Sequence, residues 1–175
     1  NFMAVNQQVK ISNAAIHVNG VAVLGGPNEV TIEGIKAKTA DSMSLGMQGT
    51  VEYTTGVEKM SMTVKLNHVD AQVASMFGDI YTPKQIQVRC LHETNGPSGR
   101  TLAALVYKLN ATSKSPFPGL SLKAQEKAEF EIEMSISGIT VELDNVEIFH
   151  FDALGNTHRV NGVSVLANAN AILGI

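Results

Sequence analysis

Three acidic residues are spaced by two along one stretch of the sequence: Glu129, Glu131 and Glu133. Paired carboxylates act as general acid and base when burial raises the pKa of one of them. Here the spacing places all three on one face of a strand, away from the apolar residues between them. Carboxylates in such a row ionise together and repel one another, so we do not expect a catalytic pair.

The histidines and the cysteine do not form a metal-binding or nucleophilic motif. None of the five histidines is followed by another at the His-x-x-x-His spacing of a metal site. His150 and Asp152 could present two ligands on one strand face, although an ordinary surface pair is the simpler interpretation. Cys90 lies on the apolar side of its segment, which indicates a small core residue rather than a nucleophile.

Overall composition excludes several classes of protein. The length of 175 residues predicts a single domain over residues 1–175, and the 44% of hydrophobic residues can form a sizeable core. The formal net charge of −3 gives no general affinity for nucleic acid. No Gly-x-Ser-x-Gly or Gly-Lys-Ser/Thr motif occurs, and no apolar run approaches the ~20 residues of a membrane span. We therefore predict no enzyme, no catalytic residue, no metal, no cofactor and no membrane anchor.

Charge is distributed unevenly along the chain. Residues 126–152 contain eight acids and one base, a net charge of −7, whereas the remainder carries +4. A solvated strand face explains any one of these acids, but it does not explain the asymmetry of the whole segment. Charged residues make up only 17% of the chain, so we expect further copies to cover part of its exterior.

In the segments that position these residues, apolar and polar residues alternate with a period of two, which predicts strands. Asn19-Gly20 indicates a hairpin turn, because both residues tolerate positive φ. The run at 102–109 is apolar on both faces, as in a strand that is covered on both sides. Strands are predicted at residues 15–18, 21–24, 30–32, 60–66, 86–90, 102–109, 127–137, 139–143 and 146–151.

Only two helices are predicted. Asp70 caps the first, whose apolar residues fall on one face before Gly78 ends it. The second covers residues 164–173 and ends at Gly174. Its predicted buried stripe consists of Val165, Leu166, Ala169, Ile172 and Leu173.

Two segments lack a clear periodic spacing of apolar residues. Residues 39–56 are rich in Gly, Ser and Thr and too long for an ordinary connection, yet they include apolar residues. We interpret them as an arm that orders against a partner. The candidate contact residues of this arm are Met43, Leu45, Met47, Val51 and Tyr53. Residues 110–123 are predicted to form a second loop, which projects between strands.

The C-terminal third of the chain has a familiar pattern. A predicted strand pair ends in the turn Ala153-Leu154-Gly155-Asn156, and Arg159-Val160-Asn161-Gly162-Val163 then opens the last helix. This stretch resembles the major tail tube protein family of contractile-tailed phages and R-type pyocins. Residues 56–78 and 123–137 resemble further elements of that family, so the likeness covers most of residues 28–174.

The resemblance implies a mainly β fold of sandwich or barrel type with two short helices, whose sheets join across subunits into a ring-shaped channel. It implies hexameric rings that stack into the inner tube of a contractile tail, with the arm reaching a neighbouring subunit or ring. The implied partners are further copies, the tail sheath, and the tape measure, baseplate and tail terminator proteins. DNA would pass through without specific binding. The protein would be assembled in the bacterial host cytoplasm and reside in the virion tail.

The implied channel suggests a role for the three glutamates. DNA must pass without sticking, and an acidic wall repels phosphate over roughly 8 Å at physiological salt. We therefore expect Glu129, Glu131 and Glu133 to line the channel; the alternative is that they face the ring exterior or the sheath. Two other functions stay open: a type VI or other contractile injection tube that delivers protein, and a small β-barrel module that binds a ligand.

Overall fold

The fold consists mainly of strands, with two short helices. The structure is a computed structural model, and it describes residues 8–23, 27–43, 45–46, 48–124 and 126–174. Of residues 8, 12 and 27 it describes only the backbone. In chain order the elements are β1 (Gln8–Val18), β2 (Val21–Ala22), β3 (Pro27–Ile32), β4 (Ala37–Ser42), β5 (Val51–Val57), β6 (Met60–Leu66), α1 (Ala71–Phe77), β7 (Lys84–Gly96), β8 (Gly99–Ser113), β9 (Gly119–Ser121), β10 (Glu129–Leu143), β11 (Val146–Asp152), β12 (Thr157–Val160), β13 (Val163–Ser164) and α2 (Ala167–Leu173).

A strand of 15 residues, β10, belongs to both halves of the fold. Its first half pairs with β6 from Phe130 to Ile136, and its second half pairs with β11 from Gly138 to Leu143. β8 pairs along the other edge, where the register shifts between Ile136 and Gly138. The strands therefore follow one path, β13-β12-β11-β10-β8-β7-β1-β2, from which β6 and β3 branch as a second layer.

The core lies between these layers and is built by alternation along the strands. Met62 and Met134 face each other across β6 and β10, and both are completely buried. Helix α1 adds Val73 and Phe77 to the same apolar cluster. The alternation correctly predicted the strand over residues 60–66. The strand predicted over residues 127–137 begins at Glu129 and continues through Gly138 into the strand predicted at 139–143, so the two form the single strand β10. Its alternation leaves the glutamates on the outer side.

Local sequence signals correctly predicted the hairpin turn and the first helix cap. Asn19 and Gly20 have φ angles of 48° and 82°, which join β1 to β2 in the turn expected of Asn-Gly. Asp70 accepts a hydrogen bond of 2.8 Å from the backbone N–H of Val73, and it therefore caps α1. Leu24, the last residue of the predicted second hairpin strand, lies outside the described residues.

Strand β8 differs from its prediction at both ends. It extends to Ser113, which pairs with Met134 of β10, so the predicted loop at residues 110–123 begins only at Lys114. Three residues of that loop form β9 on the edge of β10. Leu102, predicted to be covered on both faces, is 52% exposed, because it lies beyond the point where β10 ends.

The C-terminal helix is shorter and more exposed than predicted. Val163–Ser164 pairs with β12 as a strand, so α2 begins only at Ala167. Gly174 ends the helix in the left-handed conformation, as predicted. The predicted burial of the stripe is wrong for the single chain, because no part of the described chain covers that face. Of its members Leu166 is half-buried, and the others are exposed: Val165, Ala169, Ile172 and Leu173.

Residues 37–57 form a two-stranded β-ribbon, and we call them the ribbon. β4 and β5 pair only with each other, in a sheet separate from the other described strands. The sequence lacks alternation here because neither face of the ribbon packs against the core, so no burial pattern has to be kept. Met47, one of the predicted contact residues, lies outside the described residues.

Candidate functional site

The three predicted channel glutamates form an exposed row on β10. Glu129, Glu131 and Glu133 point outward, since the residues between them are buried or half-buried. Glu131 lies directly opposite Lys65 of β6, which in turn lies opposite Glu29 of β3. We call this outer side of β3, β6 and β10 the acidic face.

Carboxylates bind two of the bases on the acidic face. Lys65 Nζ lies 3.0 Å from Glu29 Oε2, and Lys114 forms an ion pair with Glu133. The hydrogen bond with Glu29 raises the pKa of Lys65, and the hydrogen bond from Lys114 lowers the pKa of Glu133. Glu133 is therefore ionised at neutral pH, and this face is a hydrated charged surface rather than an acid–base pair.

The ribbon presents apolar side chains at its far end. We define the tip of the ribbon as the described residues between β4 and β5, which are 43, 45–46 and 48–50. In the tip Met43 is 72% exposed and Leu45 is fully exposed. Val51 and Tyr53, on β5, are about half exposed. These apolar side chains are therefore not part of the core.

A second apolar surface lies at the C-terminal end of the chain. We call residues 157–174, which comprise β12, β13 and α2, the C-terminal element. A cleft of about 740 Å³ lies between this element and the base of the ribbon. The exposed large apolar residues of the element are Val160, Val163, Val165, Ile172 and Leu173.

Ion pairs join neighbouring strands on the outer side of the sheet that runs from β13 to β2. Arg159 donates two hydrogen bonds to the Glu147 carboxylate, of 2.9 and 3.1 Å. This contact lowers the pKa of Glu147 and raises that of Arg159. Near the other end of the layer, the buried Glu93 forms ion pairs with Lys10 and Arg100. Spacing in the sequence did not indicate either cluster, because strand pairing brings these residues together.

The residues considered for chemistry have structural contacts instead. His150 Nδ1 lies 2.8 Å from Thr140 Oγ1, and Asp152 accepts backbone hydrogen bonds within its own turn. Burial raises the pKa of the Cys90 thiol, which disfavours the nucleophilic thiolate. Within the described residues, no three His, Cys, Asp or Glu side chains lie close enough to hold a metal ion. No helix in this part of the chain is long and apolar enough to cross a membrane.

Comparison with protein families decides what kind of protein has these surfaces. Residues 8–174 match the model of a family described as phage tail tube protein FII. The chain belongs to this family. The resemblance inferred from the C-terminal residues is thereby confirmed over nearly the whole chain, and this tail tube protein is structural and not an enzyme. Among curated proteins, no sequence matches the chain.

Solved structures with a similar fold come from contractile particles. The tail tube protein is 14% identical to the sheath/tube terminator of an extracellular contractile injection system, PVC, with a TM-score of 0.55 over 74% of this chain and 92% of that one. For the PVC sheath-tube complex the identity is again 14%, with a TM-score of 0.53 over 74% and 87%. The tube terminating cap of the anti-feeding prophage is 12% identical, with a TM-score of 0.54 over 81% and 95%. These likenesses show the fold, and they confirm the predicted mainly β tail tube architecture.

Proposed function

We propose that this tail tube subunit forms hexameric rings that stack into the inner tube of a contractile tail, and that the channel conducts DNA into the host. The observation that carries the proposal is the match of residues 8–174 to the tail tube family. The number of subunits and the DNA cargo come from the family resemblance in the sequence. Family membership does not favour the small ligand-binding module that the sequence had left open.

Unpaired strand edges on the subunit support assembly with further copies. Among the residues that the structure describes, the outer edge of β1 pairs with β2 only at His17 and Val18, and β3 pairs with β6 along one edge. Sheets that join between copies would satisfy these backbone groups and remove the free edges. The exposed ribbon tip and C-terminal element would also lose water from their apolar side chains in such an assembly.

The proposed partners are the proteins that surround or end the inner tube of a contractile tail. The solved relatives include a sheath-tube complex and two tube-terminating proteins. By analogy, the sheath protein surrounds this tube and a terminator protein ends it. The family resemblance adds the tape measure and baseplate proteins. The tube is then part of the virion tail, after assembly in the host cytoplasm.

We assign the acidic face to the channel wall. The other sheet surface that could line the channel is the outer side of the strands from β7 to β12. Two of its bases, Lys108 and Arg159, are paired with Glu142 and Glu147, and Arg89 hydrogen-bonds Gln87. Cations on a channel wall would bind passing phosphates, whereas Glu129 and Glu131 would repel them. The row of carboxylates on β10 therefore suits rapid passage of DNA better than that surface of mixed charge.

A second candidate function is a contractile injection tube that delivers protein. The PVC structures favour it, because they belong to an extracellular contractile injection system. Both functions use the same tube, and they differ in cargo. Native particles that contain this subunit but no DNA would favour protein delivery.

Negative-stain electron microscopy of the purified protein tests the proposed assembly. We expect rings or tubes with a central hole, and six subunits per ring in averaged end views. An Ile11→Lys variant should assemble less, because a lysine on an edge strand hinders pairing with another sheet. Tyr81→Lys, at an exposed position outside the sheet edges, is the matched control. Solitary particles at every concentration of the unmodified protein would overturn the proposal.

A further inference from the structure

We infer that peroxide oxidises Met43 in the free subunit, and that the resulting sulfoxide prevents the subunit from joining a tube. Met43 lies in the tip of the ribbon, directly after β4. The effect on assembly rests on the proposed function, because it requires that further copies cover the tip. The oxidation itself depends only on the structure of the single chain.

Exposure separates Met43 from the other methionines that the structure describes. Met43 is 72% exposed, whereas Met62 and Met134 are completely buried. Met60 is also buried, and Met76 packs half-buried against the core. The oxidation of a methionine requires access of the oxidant to its sulfur atom. Hydrogen peroxide should therefore react with Met43 before it reacts with the others.

The structure around Met43 does not shield its thioether. The ladder between β4 and β5 ends at the pair of Ser42 and Val51, so Met43 is the first residue beyond it. Leu45, the next described residue of the tip, is fully exposed and therefore does not pack on its neighbour. The thioether is accessible to a small oxidant dissolved in water.

The single cysteine competes poorly for the same oxidant. Cys90 is half-buried, and burial raises the pKa of its thiol. Peroxide reacts with the thiolate, so a raised pKa slows this reaction at neutral pH. Met3 and Met47 lie outside the described residues, and peptide mapping distinguishes them from Met43.

The reaction transfers one oxygen atom to Met43. The sulfur attacks one oxygen of hydrogen peroxide, an S–O bond forms as the O–O bond breaks, and the other oxygen leaves as water with both hydrogens. The sulfur is oxidised and the peroxide is reduced, so no further reactant is required. A methionine sulfoxide reductase reverses the change.

The sulfoxide changes the chemistry of the tip. An apolar, flexible side chain becomes polar, and its new oxygen accepts hydrogen bonds. Burial of that oxygen in an apolar contact is unfavourable unless a donor lies opposite it. Residues 39–56 contain the acids Asp41 and Glu52 and no base, so no cation of this segment pairs with the oxygen. Oxidation therefore weakens a contact in which another copy covers Met43.

Assembly and oxidation exclude each other. A tip that another copy covers is no longer accessible, so finished tubes should resist peroxide. A subunit that is oxidised before assembly keeps its fold, because Met43 lies outside the core. The modification therefore acts on free subunits, and it keeps oxidised copies out of the growing tube.

Treatment with hydrogen peroxide, followed by peptide mass spectrometry, tests the inference. In the dissociated protein we expect the first added oxygen at Met43, and in intact tubes we expect this reactivity to be lost. The treated subunit should lose tube growth, measured by sedimentation and negative-stain microscopy, while circular dichroism shows that it stays folded. A methionine sulfoxide reductase should then restore tube growth.

Three variants separate Met43 from the other oxidisable residues. Met43→Leu keeps an apolar side chain of similar volume, so it should form tubes before and after peroxide treatment. Met76→Leu is the matched control, because it retains Met43 and should stay sensitive to peroxide. Met43→Gln places a polar amide at the site, and it should lose tube growth without any oxidant.

Other outcomes separate this inference from the proposed function. A first sulfoxide at another methionine, equal reactivity of Met43 in tubes and free subunits, or loss of tube growth in treated Met43→Leu would overturn the inference. Normal tubes from subunits with Met43 sulfoxide would also overturn it, and they would leave the proposed function intact. Absence of tubes from the untreated, unmodified protein would overturn the proposed function and the effect on assembly together. The mapping on the free subunit would still decide whether Met43 is the residue that peroxide oxidises.

Discussion

Glu147 and Arg159 lie on neighbouring strands, and their side chains meet on the outer side of the sheet. Arg159 is in register with His150 of β11, which brings its guanidinium within reach of Glu147. The sequence alone did not indicate this pair, because the contact depends on the register of two strands and not on spacing along one. The row of glutamates on β10 was predictable, since alternation within a single strand determines which side chains point outward.

We expect that Arg159→Gln raises the pKa of Glu147 toward the ordinary glutamate value. The side-chain hydrogen bond from Arg159 is the main reason that this pKa is lowered in the folded protein. Because the folded pKa is depressed, the pair stabilises the fold above the unfolded pKa of about 4.3, and the stabilisation is lost as pH falls through the folded pKa. NMR titration of the Glu147 carboxyl carbon measures the change.

The control for this titration is Arg89→Gln. The Arg89 guanidinium hydrogen-bonds the Gln87 side chain, so its removal should leave the pKa of Glu147 unchanged. An equal rise of that pKa in both variants would mean that general surface charge, and not the Arg159 contact, depresses it.

At the scale of elements, turn and helix-cap residues predicted the local structure correctly. The lack of hydrophobic alternation in residues 39–56 did not mean that strands are absent there. Asn19-Gly20 and the Asp70 cap predicted a turn and a helix start, because each depends on the backbone of neighbouring residues only. The ribbon was not recognised as paired strands, because both of its faces are exposed and period-two burial is absent. The second helix had an apolar stripe, but a stripe does not show that the same chain covers it.

We expect Gly20→Ala to destabilise the fold by about 1 kcal/mol, because a side chain at positive φ is strained. Gly20 has a φ of 82° in the turn between β1 and β2. Gly34→Ala is the matched control: Gly34 lies outside the left-handed region and has open space at its Cβ position. There alanine should be neutral or stabilise by up to about 1 kcal/mol, since it restricts the unfolded chain. Urea denaturation of both variants, under conditions that keep the subunit unassembled, gives the comparison.

Equal stability of the two alanine variants would contradict the turn assignment. It would mean that the hairpin between β1 and β2 adopts another conformation. The slope of the denaturation curve should stay the same in both variants, because neither change alters the surface exposed on unfolding.

At the scale of the whole molecule, the described residues leave many large apolar side chains exposed, and they leave most of the outer edge of β1 unpaired. The ribbon tip, the C-terminal element and the outer edge of β1 lie apart from the core, and each suits contact with another copy. The low proportion of charged residues had predicted a covered exterior from composition alone. Which segments are available to another copy follows from the fold, because the fold decides which of them lie apart from the core.

We expect that replacing Glu129, Glu131 and Glu133 together by lysine slows or arrests DNA release from particles, while tubes still assemble. Lysines on the channel wall would bind phosphate in passing DNA. The matched control replaces the same residues by glutamine, which removes charge without adding cations and should slow release less. Time-resolved measurement of released DNA gives the rate. Normal release from the lysine variant would refute the channel assignment.

Accessibility to labels tests the orientation of the acidic face independently of DNA. In assembled tubes of a Cys90→Ala, Glu131→Cys variant, a small maleimide should react, whereas a maleimide on a bulky polymer should not enter the channel. Both reagents should label the dissociated subunit. Rapid labelling of intact tubes by the bulky reagent would place this face on the tube exterior, where the sheath lies.

The sequence by itself determined the strands with clear alternation, such as residues 60–66 and 86–90, the Asn19-Gly20 turn, the outward direction of the glutamates and the family. Alternation, turn chemistry and motif order are local properties of the chain. Tertiary structure alone decided that residues 37–57 pair as a projecting ribbon, that Arg159 meets Glu147, and that the C-terminal stripe faces solvent beside an apolar cleft. These features depend on strand register and on which element lies opposite which, and contacts between distant residues set both.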